Sequence, residues 1–458
     1  MAPVQIDALG PAGAYRARKR LDVTDVTGAP AVTLSLVPKL FVSRALTALR
    51  AARPLPHQRR IAALAEAAAR FTGEEIAGLS FGDYERTVSR VSGVPLPVVR
   101  AATAAIAEAA TLAGETTGLA RPQGAVEDWR APETLRGNAV WTRRGDVFAV
   151  HAAGNHPGPH SLWLEALALG YRVAVRPSRR EPLTPHRLIT ALRAAGFGDD
   201  QVVLLPTDHD AADEVLHGAD LGLVYGGDDV VRKYATGSRI LPQGPGRSKI
   251  LLTAGADWRA HLDTIVDSIS HQGGVACINA TAVLVDGDPA PLAQAIAERL
   301  AALPSLPPDS DKAVLPVQPV AGARALEAFL LGQARGTTAW LGGDGIVDEL
   351  GDGSAALRPA VHQVDRADAP QTRVELPFPC VWVAPWSPAD GLAPLRDTLV
   401  LTVFTDDDSL VADLLDEPTI SNVYVGDHPT YWLRPGVPHD AYLGEFLMRT
   451  KTVIRSGR

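Results

Sequence analysis

The sequence predicts an α/β protein built around parallel sheets, and two observations carry that prediction. From residue 146 onward, apolar runs of strand length alternate with stretches of helical periodicity, as in "DVFAVHA" and the "PHSLWLEALALG" that follows it. A second region of the same kind begins at "ATAVLV". Strands that alternate with helices at this spacing indicate a parallel sheet with both faces covered.

The composition is that of a globular chain. The 458 residues are 46% hydrophobic and 21% charged, enough for two or three domains. A net charge of -8 without a long basic block argues against nucleic acid as a partner. Two cysteines cannot form a disulfide framework and fit a reducing cytoplasm. We expect no signal peptide and no membrane span, since the chain has no apolar run of about 18 residues.

Residues 1–125 predict a poorly ordered start followed by helices. "PHQRRIAALAEAAARF" places its apolar residues on one helical stripe, and "PLPVVRAATAAIAEAATLAG" predicts a second helix opened by proline. Residues 138–150 predict two short strands that pair as a hairpin around Gly145.

Four predicted strands follow, each ending in a polar or glycine-containing loop. They are "DVFAVHA", "YRVAVRP", "QVVLLP" and "LGLVYGG", with helices predicted at 184–195, near 210–217 and from Asp228. Ligands of parallel sheets bind beyond the carboxyl ends of the strands. The candidate ligand-binding loops are therefore "AGNHP", "RPSRR", "LPTDHD" and "YGGDD".

The second region predicts a further α/β unit. Its strands are "ATAVLV", "CVWVAP", "LVLTVFTDD" and "NVYVGD", and its helices are "PLAQAIAERLAAL" and "ALEAFLLGQA". The tail "FLMRTKTVIRSG" alternates enough to predict one last strand.

The two cysteines lie in different patterns. Cys277, in "SHQGGVACINATAV", follows a glycine turn, whereas Cys380 follows Pro379 inside an apolar strand pattern and is predicted to be core. A lone cysteine can be a buried small hydrophobic residue or a nucleophile, and for Cys277 both remain open at this point.

The order of several short motifs resembles that of the aldehyde dehydrogenase superfamily over roughly residues 50 to 458. The motifs are "AGNHP", "VAVRPS", "VYGGDDVV", "SHQGGVAC" and "VELPFPCVWV". The resemblance implies a Rossmann-type cofactor domain at 1–250, with a hairpin extension at 130–145, and a catalytic α/β domain at 251–435. It also implies a small β oligomerisation element at 436–458 and a homodimer or homotetramer.

The same resemblance implies roles for individual residues. Cys277 would be the nucleophile, and Asn155 would match the oxyanion-hole asparagine. The implied cofactor contacts are Arg176, Ser178, Arg179, Gly226, Gly227, Glu375 and Phe378.

The segment "RPSRRE" bears on the choice of cofactor. A carboxylate after the second strand of a dinucleotide site favours NAD, whereas an arginine there can accept the 2′-phosphate of NADP. Three arginines precede the first acid, Glu181, so the segment favours NADP(H), with NAD as the alternative. A solvated basic turn would have the same composition.

One departure from the family pattern affects the predicted reaction. Hydrolytic members carry E-L-G-G-K-S-P before the nucleophile, and its glutamate activates water. Here the segment is "QGPGRSK", so Gln243 or Gly244 stands at that position, and neither can take a proton. "GPG" also resembles the G-P-G-N of CoA-acylating members.

The sequence therefore favours NAD(P)H-dependent reduction of an acyl thioester, acyl-CoA or carrier-bound, to an aldehyde through a Cys277 thioester. One alternative is NAD(P)-dependent oxidation of an aldehyde to an acid, with another group activating water. Reduction of an acyl phosphate and a non-catalytic dinucleotide-binding protein are further alternatives.

The histidines near these motifs are predicted to have structural rather than catalytic roles. His271 is predicted to be an exposed helix histidine, and His151 and His156 to be packing residues flanking the asparagine loop. No cluster has zinc-like spacing, so no metal is expected.

Overall fold

The computed structural model describes residues 2–454. The chain opens with five short strands: β1 (Val4–Ile6), β2 (Ala8–Gly10), β3 (Gly13–Tyr15), β4 (Arg20–Thr24) and β5 (Pro30–Ser35). β1, β5 and β4 form a three-stranded sheet, whereas β2 and β3 join a larger one. The predicted poorly ordered start is therefore wrong. Strands of three residues are too short to display the period-2 alternation that identifies a strand.

Four helices follow: α1 (Lys39–Ala51), α2 (His57–Gly73), α3 (Phe81–Ser92) and α4 (Leu96–Leu119). Leu64 and Phe71 of α2 and Ile106 of α4 are completely buried in the largest core cluster. By length and apolar composition alone, α4 is the one helix among residues 2–454 that could cross a membrane. In this structure its buried face packs against α2, as a core helix does.

The first seven-stranded sheet has the order β12-β11-β8-β9-β10-β2-β3. After β6 (Ala125–Val126) and β7 (Ala139–Arg143), its parallel strands are β8 (Val147–His151), β9 (Arg172–Arg176), β10 (Val202–Leu204), β11 (Leu221–Tyr225) and β12 (Ile240–Gln243). The helices between them are α5 (Leu164–Ala168), α6 (Leu183–Ala194), α7 (His209–His217) and α8 (Asp228–Tyr234). Every residue of β8 and β10 is buried, as expected for a parallel sheet covered on both faces.

The second seven-stranded sheet has the order β16-β19-β20-β14-β13-β21-β22 and is parallel except at β16. From β13 to β18 the elements are β13 (Ser248–Leu252), α9 (Leu262–Ser270), β14 (Ala280–Asp286), α10 (Ala290–Ala301), β15 (Val317–Pro319), α11 (Val320–Gln333), β16 (Thr338–Leu341), β17 (Val347–Glu349) and β18 (Ser354–Leu357). The remaining elements are β19 (Ala360–Gln363), β20 (Cys380–Trp386), β21 (Thr398–Phe404), α12 (Asp408–Asp416), β22 (Ile420–Val425), α13 (Leu443–Leu447) and β23 (Met448–Thr452).

The predicted hairpin at 138–150 is wrong in its pairing, although both strands exist. β7 pairs with β6 and β23, whereas β8 pairs with β9 and β11 in the first large sheet. The turn at Gly145 therefore carries the chain from one sheet into another. Local turn chemistry could not reveal this, because β23, the antiparallel partner of β7, lies about 300 residues further along the chain.

Candidate active site

Cys277 lies just after a left-handed backbone turn. α9 ends at Ser270, and the turn that follows has φ of 53° at Gln272, 73° at Gly273 and 66° at Gly274. A Cβ at Gly274 would stand 2.4 Å from the Pro379 nitrogen. Both the conformation and the space at Gly274 therefore require glycine.

The "GPG" loop closes on Cys277 from another side. A Cβ at Gly246 would stand 1.9 Å from the Cys277 carbonyl oxygen, so only glycine permits this approach. The Ser248 hydroxyl donates a hydrogen bond of 3.0 Å to the same oxygen. The nucleophile turn and the loop that precedes β13 are thus fixed against each other.

An imidazole lies beside the thiol. His439 Nε2 is 3.6 Å from Cys277 Sγ, and His439 Nδ1 is 3.0 Å from Asp440 Oδ1. Burial lowers the pKa of His439, but the Cys277 thiolate and the Asp440 carboxylate outweigh it and raise the pKa to about 10. Burial would raise the pKa of Asp440, yet the hydrogen bond from His439 holds it below its usual value.

His439 and Asp440 were not among the residues predicted from the sequence. They lie in "PGVPHDAY", a loop between β22 and α13, 162 residues beyond Cys277. The loop has no periodicity, and a His-Asp pair is no motif in itself. Only the fold brings it to the thiol, and the Asn422 amide secures it by donating to the His439 carbonyl oxygen.

Two side chains from the first sheet complete the surroundings of this pair. The Gln243 side-chain amide, at the end of β12, lies close enough to the Asp440 carboxylate to help lower its pKa. The Tyr225 phenol, at the end of β11, is buried without a hydrogen-bond partner among the described residues. Burial raises its pKa well above the usual value, and the charges of Cys277 and Asp440 raise it further. The phenol is therefore uncharged at neutral pH.

Asn155 lies against the nucleophile turn, in the loop that follows β8. Its side-chain amide donates a hydrogen bond of 3.0 Å to the Val275 carbonyl, two residues before Cys277. One N–H of that amide is left for another acceptor. Within residues 2–454 no backbone or side-chain acceptor takes the Cys277 backbone N–H. The Asn155 amide and the Cys277 N–H, two donors that could serve a substrate carbonyl oxygen, thus lie in adjoining segments.

Five of the seven predicted cofactor residues lie at the carboxyl ends of β9 and β11 in the first sheet. Arg176 Nε donates to the Thr207 hydroxyl at 2.8 Å, and Ser178 Oγ accepts from the Arg180 backbone at 3.1 Å. A Cβ at Gly226 would collide with Val230, whereas one at Gly227 would meet open space. Arg179 is half-buried, and its Nε has no partner among the described residues.

Glu375 and Phe378 have different environments. Glu375 Oε2 accepts the Arg247 backbone N–H at 2.7 Å, and burial raises its pKa to about 7. Phe378 is 1% exposed and packs in the core of the second large sheet with Cys380 and Trp382. The structure therefore places Glu375 beside the "GPG" loop, but it does not bring Phe378 to the cofactor edge.

The histidines differ from prediction at one position. His271 is not an exposed helix residue, because its ring stacks on Tyr431 at 3.6 Å between centroids. His151 and His156 are buried, as predicted for packing residues, and burial lowers their pKa to about 3 and about 4. Both are neutral at physiological pH.

The profile of the aldehyde dehydrogenase family matches residues 30–434. The chain belongs to this family. It is an oxidoreductase of a family that acts on aldehydes, and the predicted α/β fold with Rossmann-like sheets is confirmed. No curated protein matches the sequence.

Solved aldehyde dehydrogenases share the fold at low identity. Aldehyde dehydrogenase 21 from Physcomitrella patens, in complex with succinate, superposes with a TM-score of 0.80 at 17% identity, over 99% of this chain and 98% of that one. KauB from Pseudomonas aeruginosa superposes with a TM-score of 0.82 at 17% identity, over 98% of this chain and 96% of that one. A mutant of AldA, the P. syringae indole-3-acetaldehyde dehydrogenase, in complex with NAD+ and IAA, superposes with a TM-score of 0.82 at 15% identity. The match covers 97% of this chain and 95% of that one.

The cofactor edge of this family member fits a dinucleotide. Gly227 leaves open space at the start of α8, and the unpartnered Arg179 Nε–H can donate to an anion. Glu181, the first acid after β9, is 2% exposed and accepts the Thr184 N–H at the start of α6. Its carboxyl group is therefore engaged at the start of α6 and closed off from solvent.

Proposed function

We propose that this protein oxidises an aldehyde to a carboxylic acid with NAD(P)+, using Cys277 as a covalent nucleophile. The single observation that carries the proposal is the 3.6 Å contact between Cys277 Sγ and His439 Nε2. An imidazolium held by a carboxylate stabilises a neighbouring thiolate, and the thiolate is the nucleophilic form of cysteine.

The residues assign the steps as follows. The Cys277 thiolate attacks the aldehyde carbon and forms a thiohemiacetal. Its oxyanion lies within reach of the Asn155 amide and the Cys277 N–H, and loss of one such donor typically costs about 100- to 1000-fold in rate. NAD(P)+, when bound, supplies the oxidising power by accepting the hydride. The acyl group then remains on Cys277 as a thioester until water or a thiol removes it.

Oxidation is favoured over acyl-thioester reduction for a physical reason. The sequence predicted reduction because the glutamate of the hydrolytic members is replaced by Gln243 or Gly244. Neither residue can deprotonate a water molecule. His439 supplies a titratable nitrogen at the same centre. The structurally similar proteins named above are aldehyde dehydrogenases, including one whose complex holds NAD+, which supports the same direction.

We further propose NADP+ as the preferred cofactor, with NAD+ as the alternative. A ribose bearing a 2′-phosphate adds a dianionic group, and arginine is the residue that binds it best. Arg179 and its neighbour Arg180 offer that charge, while Glu181 is buried just before α6 and accepts the Thr184 N–H.

The test is a panel of aldehydes with NADP+ or NAD+ in the absence of CoA, followed by nicotinamide absorbance and acid analysis. We expect stoichiometric acid and reduced cofactor. Cofactor reduction that occurs only when CoA is added, with acyl-CoA as the product, would overturn the proposal.

A second candidate is reduction of an acyl thioester to an aldehyde, and Gln243 is the observation that favours it. A glutamine there cannot act as a base, and "GPG" resembles the CoA-acylating members. Oxidation of NADPH by acyl-CoA, faster than any thiol-independent aldehyde oxidation, would support this candidate.

A further inference from the structure

Hydrolysis of the Cys277 thioester needs a proton acceptor near the acyl carbon. Water becomes a competent nucleophile when a base removes its proton during attack. Gln243 stands where the resemblance places a glutamate, and its amide has no proton affinity at neutral pH. Its side chain lies near Asp440, whose pKa it helps to lower.

We propose that His439 is the general base that deprotonates the hydrolytic water, with Asp440 as its positioning residue, an assignment that rests on the proposed aldehyde oxidation. The geometry has two parts: His439 Nε2 faces Cys277 Sγ at 3.6 Å, and His439 Nδ1 faces Asp440 Oδ1 at 3.0 Å. The nearby Gln243 amide helps to keep that carboxylate ionised by lowering its pKa.

The contacts of the His439 ring determine which of its two nitrogens acts as the base. Because the Asp440 carboxylate is an acceptor, the Nδ1–H donates to it, so the neutral ring carries its lone pair on Nε2. That nitrogen points at the sulfur that bears the acyl group. The Asn422 amide bonds the His439 carbonyl, so the ring is anchored on both its carboxylate and its backbone.

The charge at Cys277 decides when His439 can accept a proton. Burial lowers the pKa of His439, whereas negative charge on the Cys277 sulfur and on the Asp440 carboxylate raises it. An acylated sulfur can carry no charge, and the Tyr225 phenol, which burial keeps neutral, supplies none, so Asp440 alone then opposes burial. The pKa of His439 is therefore lower in the acyl-enzyme, which favours loss of the ring proton to solvent and leaves Nε2 able to accept a proton from water.

The step balances with water as the only added reactant. Water donates a proton to His439 Nε2 while its oxygen bonds to the thioester carbon. The tetrahedral intermediate collapses with cleavage of the C–S bond, and the electron pair returns to Cys277 as thiolate. The carboxylic acid loses its proton to solvent, and the thiolate–imidazolium pair is restored.

The test uses an activated ester, so it needs no cofactor and no aldehyde. In wild-type protein, p-nitrophenyl acetate acylates Cys277, giving a burst of nitrophenolate and then steady hydrolysis. His439→Asn is expected to retain the burst at pH 9, where free thiols ionise unaided. Its steady rate should fall by about 100-fold or more, and its acetyl adduct should persist by mass spectrometry.

Matched variants separate this role from a structural one. His428→Asn, an exposed histidine on the same segment, is the control and should hydrolyse like wild type. His439→Gln serves as a second variant, and His439→Gly should regain hydrolysis with added imidazole. Asp440→Asn should shift the pH profile of hydrolysis to lower pH, because the carboxylate raises the pKa of His439.

The outcomes are distinct. Hydrolysis of the acetyl enzyme at the wild-type rate in His439→Asn would overturn the assignment, as would a wild type whose Cys277 does not acylate. A wild type that hydrolyses the ester through His439 but oxidises no aldehyde would leave the assignment standing and defeat the proposed function.

Discussion

Cys277 and Cys380 carry the same thiol in opposite surroundings. Cys277 is half-buried and lies beside an imidazolium, whereas Cys380 is 7% exposed at the start of β20 in the second core. Burial raises the pKa of the Cys380 thiol, so it stays protonated at any physiological pH. Only one of the two has a neighbour that favours the reactive form.

The first prediction follows from that contrast. Cys277→Ala should lower turnover by at least about 1000-fold, because the covalent intermediate cannot form. Cofactor binding, measured by fluorescence titration, should be nearly unchanged. Cys380→Ala is the matched control and should stay active, with a loss of stability of about 1 kcal/mol. Equal activity of Cys277→Ala and wild type would contradict the nucleophile assignment.

A second residue-scale prediction concerns Arg179. Arg179→Glu should lower kcat/KM for NADP+ by about tenfold or more relative to NAD+, because a carboxylate repels the 2′-phosphate and accepts the ribose hydroxyls. Arg335→Glu makes the same charge change on an exposed part of the chain and should leave the ratio alone. An unchanged ratio in Arg179→Glu would remove this residue from cofactor selection.

At the scale of elements, the start of α6 depends on a buried acid. Glu181 accepts the Thr184 N–H at 2.8 Å, and burial raises its pKa to about 7. A carboxyl whose pKa is higher folded than unfolded binds more protons in the folded state. It therefore favours folding at low pH, and that contribution is lost as the pH rises through about 7.

Glu181→Gln should therefore change the pH dependence of stability. The amide keeps an acceptor for Thr184 but cannot ionise. Between pH 5 and pH 8, the stability of wild type relative to this variant should fall by up to about 3 kcal/mol. Urea midpoints at both pH values measure it, and Glu75→Gln, the same change at an exposed position, is the control. A constant difference across this range would refute the assigned protonation.

The turn before Cys277 gives a second prediction at this scale. Gly274→Ala should reduce turnover more than about tenfold and lower stability, since its φ of 66° and the 2.4 Å approach to Pro379 exclude a side chain. Gly255→Ala places a methyl group in open space and should be tolerated. Comparable thermal midpoints and activities for the two variants would show that the turn is not constrained.

The sequence predicted the elements that have local signals and missed the contacts between distant segments of the chain. Alternating strands and helices predicted the first large sheet, because that signal is local, whereas Cys277 was assigned as the nucleophile through the order of the family motifs. The pairing of β7 with β23 and the approach of His439 to Cys277 are contacts over about 300 and 162 residues. No local propensity records such contacts. Phe378 was misplaced for a related reason, since a motif fixes its position in the chain but not the direction of its ring.

At the scale of the whole molecule, β23 is an edge strand. The tail strand does have a partner within the chain, β7, which the sequence did not identify. Within the described residues its other edge is unpaired, since the sheet order is β23-β7-β6. An unpaired edge is a template for a further strand, and a homodimer or homotetramer remains our prediction.

The register supplies a test of that edge. Arg144 donates to the Leu447 carbonyl and Val453 to the Asn138 carbonyl, so alternate residues point their N–H groups at β7. Thr450 is out of phase with them and points its N–H outward. Thr450→Pro should lower the mass measured by light scattering, whereas Thr450→Val should not, because valine keeps the donor. A wild type that is monomeric at micromolar concentration would contradict the prediction.

The distance along the chain between Cys277 and His439 also has a meaning in time. A ribosome that adds about 5 to 20 residues per second exposes the sulfur roughly 10 to 30 s before it makes the imidazole 162 residues later. Throughout that interval the emerging polypeptide carries Cys277 without the imidazole that lies beside it in the folded protein. The contact between the two side chains can therefore form only after the segment beyond β22 has been made and has docked.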